Sequence, residues 1–204
     1  PTVSTKVSET YVNVVVKRPR PTVRSTSKKG QEIITDDTGC QKNSVMIERA
    51  FSKIPEVEAA IKAQDKYYNK FNGTNSNGID LPGLSGKNYY IGEWEELYET
   101  AQSARLEVSL AIDMACDAYQ RMYNSLVDKE REVNGTLADE LRQLTPDEFR
   151  NKWSFDVQIS PINGDSSILS KIESAAAEDA KREFERTAKT REAEVRSSIR
   201  DAVR

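Results

Sequence analysis

The sequence predicts a mainly α protein with a small antiparallel β element, built as a helical bundle with a long central helix and a long C-terminal helix. Three observations lead there. Apolar residues recur at alternating steps of three and four from Trp94 to Leu126. Only two short segments carry strand patterning, and they lie near opposite ends of the chain. The segment from Asp165 to Arg204 holds nine basic and nine acidic groups and no helix breaker.

In order along the chain, three parts are expected: a strand and basic arm over residues 1–42, a helical core over 43–164 closed by a strand at 153–159, and a charged helix over 165–204. The first strand is Tyr11–Val16, a β-branched and aromatic run. Pro19 and Pro21 then forbid helix, and Ser, Thr and Gly30 loosen the chain. Residues 1–30 contain seven basic groups and one acid, whereas the rest of the chain carries 23 basic and 32 acidic groups. A basic arm on an acidic body suits either phosphate binding or docking on an acidic patch.

Asn43 can cap a short helix over Ser44–Lys53, and Pro55 opens a longer one with Val57, Ile61, Gln64, Tyr68 and Phe71 on one face. Asn72–Asn88, with four Gly and one Pro, reads as a long irregular connection and a candidate binding loop. Its Gly83-Leu84-Ser85-Gly86 matches a bare GxxG clamp, without the strand and helix order that would make a KH domain.

The central helix is predicted from about Tyr90 to Val133, with Trp94, Tyr98, Ala101, Arg105, Val108, Ile112, Ala115, Tyr119, Met122 and Leu126 along its seam. Arg105 alone interrupts the seam, its stem covering apolar surface while its head reaches water. Leu97, Leu110 and Tyr123 lie beside it. The seam spans about 50 Å at 1.5 Å per residue and needs a partner helix. Asn134-Gly135 ends the helix. After a helical piece over Thr136–Leu144, Thr145, Pro146 and Glu148 supply a capping box and a first-turn proline. Trp153–Ile159 alternates with period two and is predicted to pair with Val12–Val16, placing Trp153, Phe155, Val157 and Ile159 on one face.

From Ile168 the last helix offers few large apolar groups, chiefly Phe184, Val195, Ile199 and Val203. These four are the expected partner-binding residues, because so thin a stripe is poorly held by one domain. The helix is expected to project, to pack on another subunit, or to continue beyond Arg204.

Chemistry is narrowed by composition. The 204 residues include no His and two Cys, Cys40 and Cys116, without CxxC spacing. No Ser-His-Asp or Cys-His pair, His-containing zinc site or thiolate cluster can form within this chain. There is no GxxxxGK[ST] loop, and acid pairs such as Asp36-Asp37, Glu95-Glu96 and Asp147-Glu148 each suit a loop, helix face or cap. No catalytic, cofactor-binding or metal-binding residue is therefore expected, and no cofactor. Cys116 reads as a packed thiol inside a helix. Mean hydropathy is −0.69. The sequence has neither an apolar run long enough to span a membrane nor a signal-peptide core after Pro1, so no membrane partner and no signal-directed secretion are expected. Pro1 fits a start from which the initiator Met has been removed.

The order of elements, a strand leading into a basic Pro-containing arm, then an LPGLSG loop, then KWSFDVQISPINGD before a long charged helix, resembles an uncharacterised family of tailed-phage proteins. Trp153–Asp165 carries most of that likeness. Some relatives lie near genes for MoxR-type ATPases and von Willebrand A proteins, and the family brings no catalytic residues to carry over. The resemblance implies residence in the host cytoplasm or the virion. Two functions follow as expectations. One is a non-enzymatic interaction protein that oligomerises, or docks another phage or host protein, through long helices. The alternative is a nucleic-acid-binding accessory protein using Lys17, Arg18, Arg20, Arg24, Lys28 and Lys29.

Overall fold

The structure is a computed structural model that describes residues 11–38, 45–162 and Arg182. The chain divides into two compact units. The first joins the chain up to Lys17 with Lys66–Leu106 and the chain from Phe155; the second joins Arg18–Asp65 with Glu107–Ser154. Apart from Arg182, the predicted C-terminal helix over 165–204 lies outside the described residues, as does the cap at Asn43.

In the first unit, β1 (Tyr11–Lys17) is the centre of a three-stranded antiparallel sheet, between β4 (Lys87–Tyr90) and β5 (Asp156–Pro161). The expected pairing of the two predicted strands is present, with Val12 opposite Pro161, Val14 opposite Ile159 and Lys17 opposite Asp156. The second strand starts later than its alternation suggests. Trp153 donates its backbone N–H to Arg150 at the end of a short helix, so it is unavailable to the ladder. The expectation of two strands also gives way to three, because β4 emerges from the end of the Asn- and Gly-rich loop.

The sheet is two-faced. Val12, Val14 and Val16 alternate with Asn13, and the valines are buried together with Val157 and Ile159. Asn13 stands in register with Asn88 on one side and Ser160 on the other, and all three are buried. The Asn13 amide donates to Asn88 Oδ1 (3.1 Å) and to the Ser85 carbonyl (2.9 Å), and the Asn88 amide donates to the Ile79 carbonyl (3.1 Å). The loop end thus satisfies polar groups that would otherwise be costly to bury. Gly86 has φ +81°, and a Cβ there would strike the Val14 carbonyl oxygen. Gly86→Ala is expected to lower stability by about 1–3 kcal/mol, measured by urea denaturation. Gly83→Ala is the control: its φ of +82° carries the same backbone cost, but nothing lies within 4 Å of the added Cβ.

Two long helices contribute to both units. Here α2 is Pro55–Asn72 and α3 is Trp94–Met122. The α3 seam is buried at Trp94, Ala101, Val108, Ala115 and Tyr119. Arg105 departs from the expectation that its head meets water: the guanidinium pairs with Asp156 (Nε to Oδ1, 3.4 Å) and donates to the Val157 carbonyl on β5. Leu110, beside the seam, is 61% exposed.

The predicted helix to Val133 is broken. A 3-10 turn at Tyr123–Ser125 separates α3 from α4 (Leu126–Asn134). Side chains take the carbonyls at the break: Gln143 donates to Tyr123 O (2.5 Å) and Ser125 to Met122 O (3.0 Å). Gly135, at φ 57°, closes α4 as expected. The following piece is a 3-10 segment, Gly135–Glu140, and then extended chain. The Thr145 capping box forms and opens α5 (Pro146–Asn151), a helix of six residues.

The remaining elements of the second unit were not expected. Arg24–Ser27 (β2) pairs antiparallel with Val45–Glu48 (β3), where a helix was predicted; a 3-10 turn, Ala50–Lys53, follows β3. Lys28–Thr38 forms α1 within the segment read as a loosened arm. Its N-terminus is capped twice. Ser27 Oγ accepts from Gly30 N (2.8 Å), and the Glu140 carboxylate accepts from Ser27 Oγ (2.8 Å), Lys28 N (2.9 Å) and Lys29 N (3.0 Å). Gly30 lets α1 approach β3, since a Cβ there would lie 2.8 Å from Val45 Cγ1.

The Ser27 hydroxyl and then these amides hold the Glu140 carboxyl below its ordinary 4.5. A folded-state value below the unfolded one stabilises above the unfolded value, and that contribution is lost as pH falls through the folded value. Amide exchange at Lys28 and Lys29 is therefore expected to accelerate, beyond its intrinsic pH dependence, only below the ordinary carboxylate range. Glu140→Gln should remove that pH dependence.

The core of the second unit gathers Phe51, Ile54, Val57, Ala115, Tyr119, Leu126, Phe149 and Trp153, with Cys116 as a packed thiol whose pKa is pushed up by burial. Trp153 belongs to this core and not to a sheet face.

Candidate functional site

The first unit contains a cavity of about 240 Å³ where the end of α2, the loop after it and the start of α3 meet. Its floor is apolar: Phe71 and Leu97 are buried, and the Tyr89 ring is buried beside them. The Tyr89 hydroxyl donates to the Phe71 carbonyl (2.7 Å), one of the carbonyls that the end of α2 leaves without a helical partner. Burial, reinforced by the negative charge of Glu93, raises the Tyr89 pKa despite opposing hydrogen bonds, so it remains a phenol. Gly78 brings the loop onto that ring, since a Cβ there would lie 2.8 Å from Tyr89 Cε2.

The walls are polar. Glu93, in a 3-10 turn at Ile91–Glu93, and Glu96, in the first turn of α3, line it and are exposed. Lys70, in the last turn of α2, donates from Nζ to Thr100 Oγ1 (3.4 Å). Asn75, Ser76 and Asn77 line the loop side. Of these wall residues the sequence pointed only to Glu96, as half of the Glu95-Glu96 pair assigned to a helix face, and to the loop itself. Lys70, Glu93 and Glu96 read as an ordinary solvated face, and nothing local says that a loop folds over them.

The sequence-predicted basic residues are distributed over several elements. Lys17 ends β1. Arg18 and Arg20 share one carboxylate oxygen of Asp65, Arg20 at 3.0 Å, and burial together with the Arg18 charge lowers the Arg20 pKa. Arg24 starts β2 opposite Glu48, and its charge contributes to holding the Glu48 carboxyl low, after hydrogen bonds from Lys53 and Ser52. Lys28 and Lys29 are exposed in the first turn of α1, above Glu140.

The partner-binding residues Phe184, Val195, Ile199 and Val203 lie outside the described residues. Among the described residues no group of three or more His, Cys, Asp or Glu side chains is arranged to hold a metal ion. No helix among them is long and apolar enough to cross a membrane. No protein-family model, curated protein or solved structure matches the chain.

Proposed function

We propose that this chain is a non-enzymatic assembly protein whose long helices pack on another copy of itself, and, following the resemblance, a phage-encoded one acting in the host cytoplasm or the virion. One observation carries the reading. On α3, Leu106, Leu110 and Met114 follow at four-residue steps and are 75%, 61% and 53% exposed. Three large apolar side chains in one row, on a helix whose opposite side is already buried, favour a further helix laid along them. Each contributes on the order of 1.5–3 kcal/mol when fully covered. The sequence pattern of 165–204, with Phe184, Val195, Ile199 and Val203 spaced along a charged segment, supports the same reading. The absence of His and of paired Cys supports a role without catalysis.

The nucleic-acid alternative through Lys17, Arg18, Arg20, Arg24, Lys28 and Lys29 is less well supported, because Arg18 and Arg20 are already committed to Asp65. Light scattering across a concentration series tests the proposal. A dimer or larger species is expected, and the double variant Leu110→Glu, Met114→Glu should shift it towards monomer with an unchanged far-UV spectrum. A monomer at all concentrations would refute self-association. Salt-dependent DNA binding, lost in Arg18→Glu, Arg20→Glu, would favour the alternative.

A further inference from the structure

We propose that the exposed apolar row on α3 receives residues 195–204 of a second copy of the chain, laid along it as a helix. The inference rests on the assembly reading and names the segment that covers the row. Spacing and charge both point to it. Leu106, Leu110 and Met114 follow at four-residue steps, and so do Val195, Ile199 and Val203. At 1.5 Å per residue each set is about 12 Å long on a helix, so the two match end to end. Residues three and four apart are neighbours on a helix surface, so each set forms one stripe. Residues 195–204 lie outside the described residues; that they are helical is the expectation from their sequence, which contains neither Gly nor Pro.

The charges beside the two stripes are opposite. Asp113 and Asp117 stand three residues after Leu110 and Met114, flank the row and are exposed. One cation answers both acids: Arg150 donates to Asp113 (2.9 Å) and to Asp117 (3.4 Å). The flank therefore keeps an excess of negative charge. In the segment an arginine follows each large apolar residue, in Val195-Arg196, Ile199-Arg200 and Val203-Arg204, against a single acid, Asp201. A second α3 fits the row less well. It would bring its own Asp113 and Asp117 towards the same two acids, and like charges set together across an interface oppose binding. The arginines of the segment meet those acids instead, and their stems extend the apolar cover.

Charge exchange between two full-length variants tests the proposal. The row variant is Asp113→Arg, Asp117→Arg; the segment variant is Arg196→Glu, Arg200→Glu, which changes no residue of the described fold. Each alone is expected to raise the dissociation constant for self-association about tenfold or more, measured by light scattering across a concentration series. An equal mixture should recover association, because a basic row then meets an acidic segment and an acidic row a basic one. The control is Asp128→Arg, Glu132→Arg, the same change of charge at exposed positions of α4. It should self-associate as the unaltered chain does, and should not rescue the segment variant on mixing. A segment variant that associates normally, or a mixture no better than its components, would overturn this proposal and leave the assembly reading standing. An unaltered chain that is monomeric at every concentration would remove both.

Discussion

Phe149→Ala is expected to lower the unfolding free energy by about 3–5 kcal/mol. Phe149 is completely buried, and its ring is the hub of an aromatic cluster. It stacks on Tyr119 with centroids 3.9 Å apart and planes 2° from parallel, and meets Phe51 (5.3 Å) and Trp153 (5.9 Å) edge-on. Removing the ring loses its transfer free energy and leaves a cavity walled by three rings held elsewhere. Tyr119 cannot follow inward, because its hydroxyl donates to the Leu144 carbonyl (2.7 Å). Burial pushes the Tyr119 pKa up to about 12, so this hydrogen bond is made by the neutral phenol throughout the working range. Phe149→Leu, which keeps most of the volume, should cost less than half as much. Urea denaturation monitored by tryptophan fluorescence measures both, since Trp153 lies in the cluster. Equal effects from Ala and Leu would show that the ring stack, and not the filled volume, supplies the stability.

Glu130→Ala is expected to cost a similar amount, about 3–5 kcal/mol, for an electrostatic reason. Glu130 and Arg49 are both buried and pair at 3.4 Å. The carboxylate also accepts from Ala50 N (2.9 Å) and from the Asn134 amide (3.2 Å). Arg49 is held further by the Arg142 carbonyl (2.8 Å) and lies over the Phe51 ring. Truncating Glu130 leaves a buried guanidinium without its counter-charge and two donors without an acceptor. Glu130→Gln keeps an acceptor for Ala50 and should lose less. The double variant Arg49→Met, Glu130→Leu should recover much of the loss, because a buried ion pair replaced by apolar groups of similar volume is often neutral. A double variant no better than Glu130→Ala would mean that the hydrogen bonds to Ala50 and Asn134, not the charge, carry the effect.

Much of the helical scaffold was legible because its signals are local. The start of α2 at Pro55, the buried seam of α3, the stop at Gly135 and the Thr145 capping box each depend on residues within a turn or two of one another. The pairing of β1 with β5 was legible for a different reason: two strand-like segments needed ladder partners, and each was the other's best choice.

Tertiary structure decided what the short-range pattern left open. Ser27–Gly30 starts a helix because Glu140, 112 residues from Lys28, supplies a carboxylate to its free amides. The central helix breaks after Met122 because Gln143, 20 residues on, takes the Tyr123 carbonyl. Val45–Glu48 is a strand because the polar segment Arg24–Ser27 lies beside it, a pairing without an apolar alternation to announce it. β4 is a strand because Asn13 and β1 supply its partners across more than 70 residues. The cavity belongs to the same class: Lys70, Glu93, Glu96 and Thr100 look like solvated helix ends until the loop brings them around Phe71 and Leu97. In each case the hydrogen bond or contact that selects the conformation comes from a residue far along the chain. The sequence by itself therefore determined where helices begin, which of their faces are apolar and which strands must pair. Only the folded chain determined which backbone groups were satisfied from a distance, and with them the second sheet, the helix break and the shape of the site.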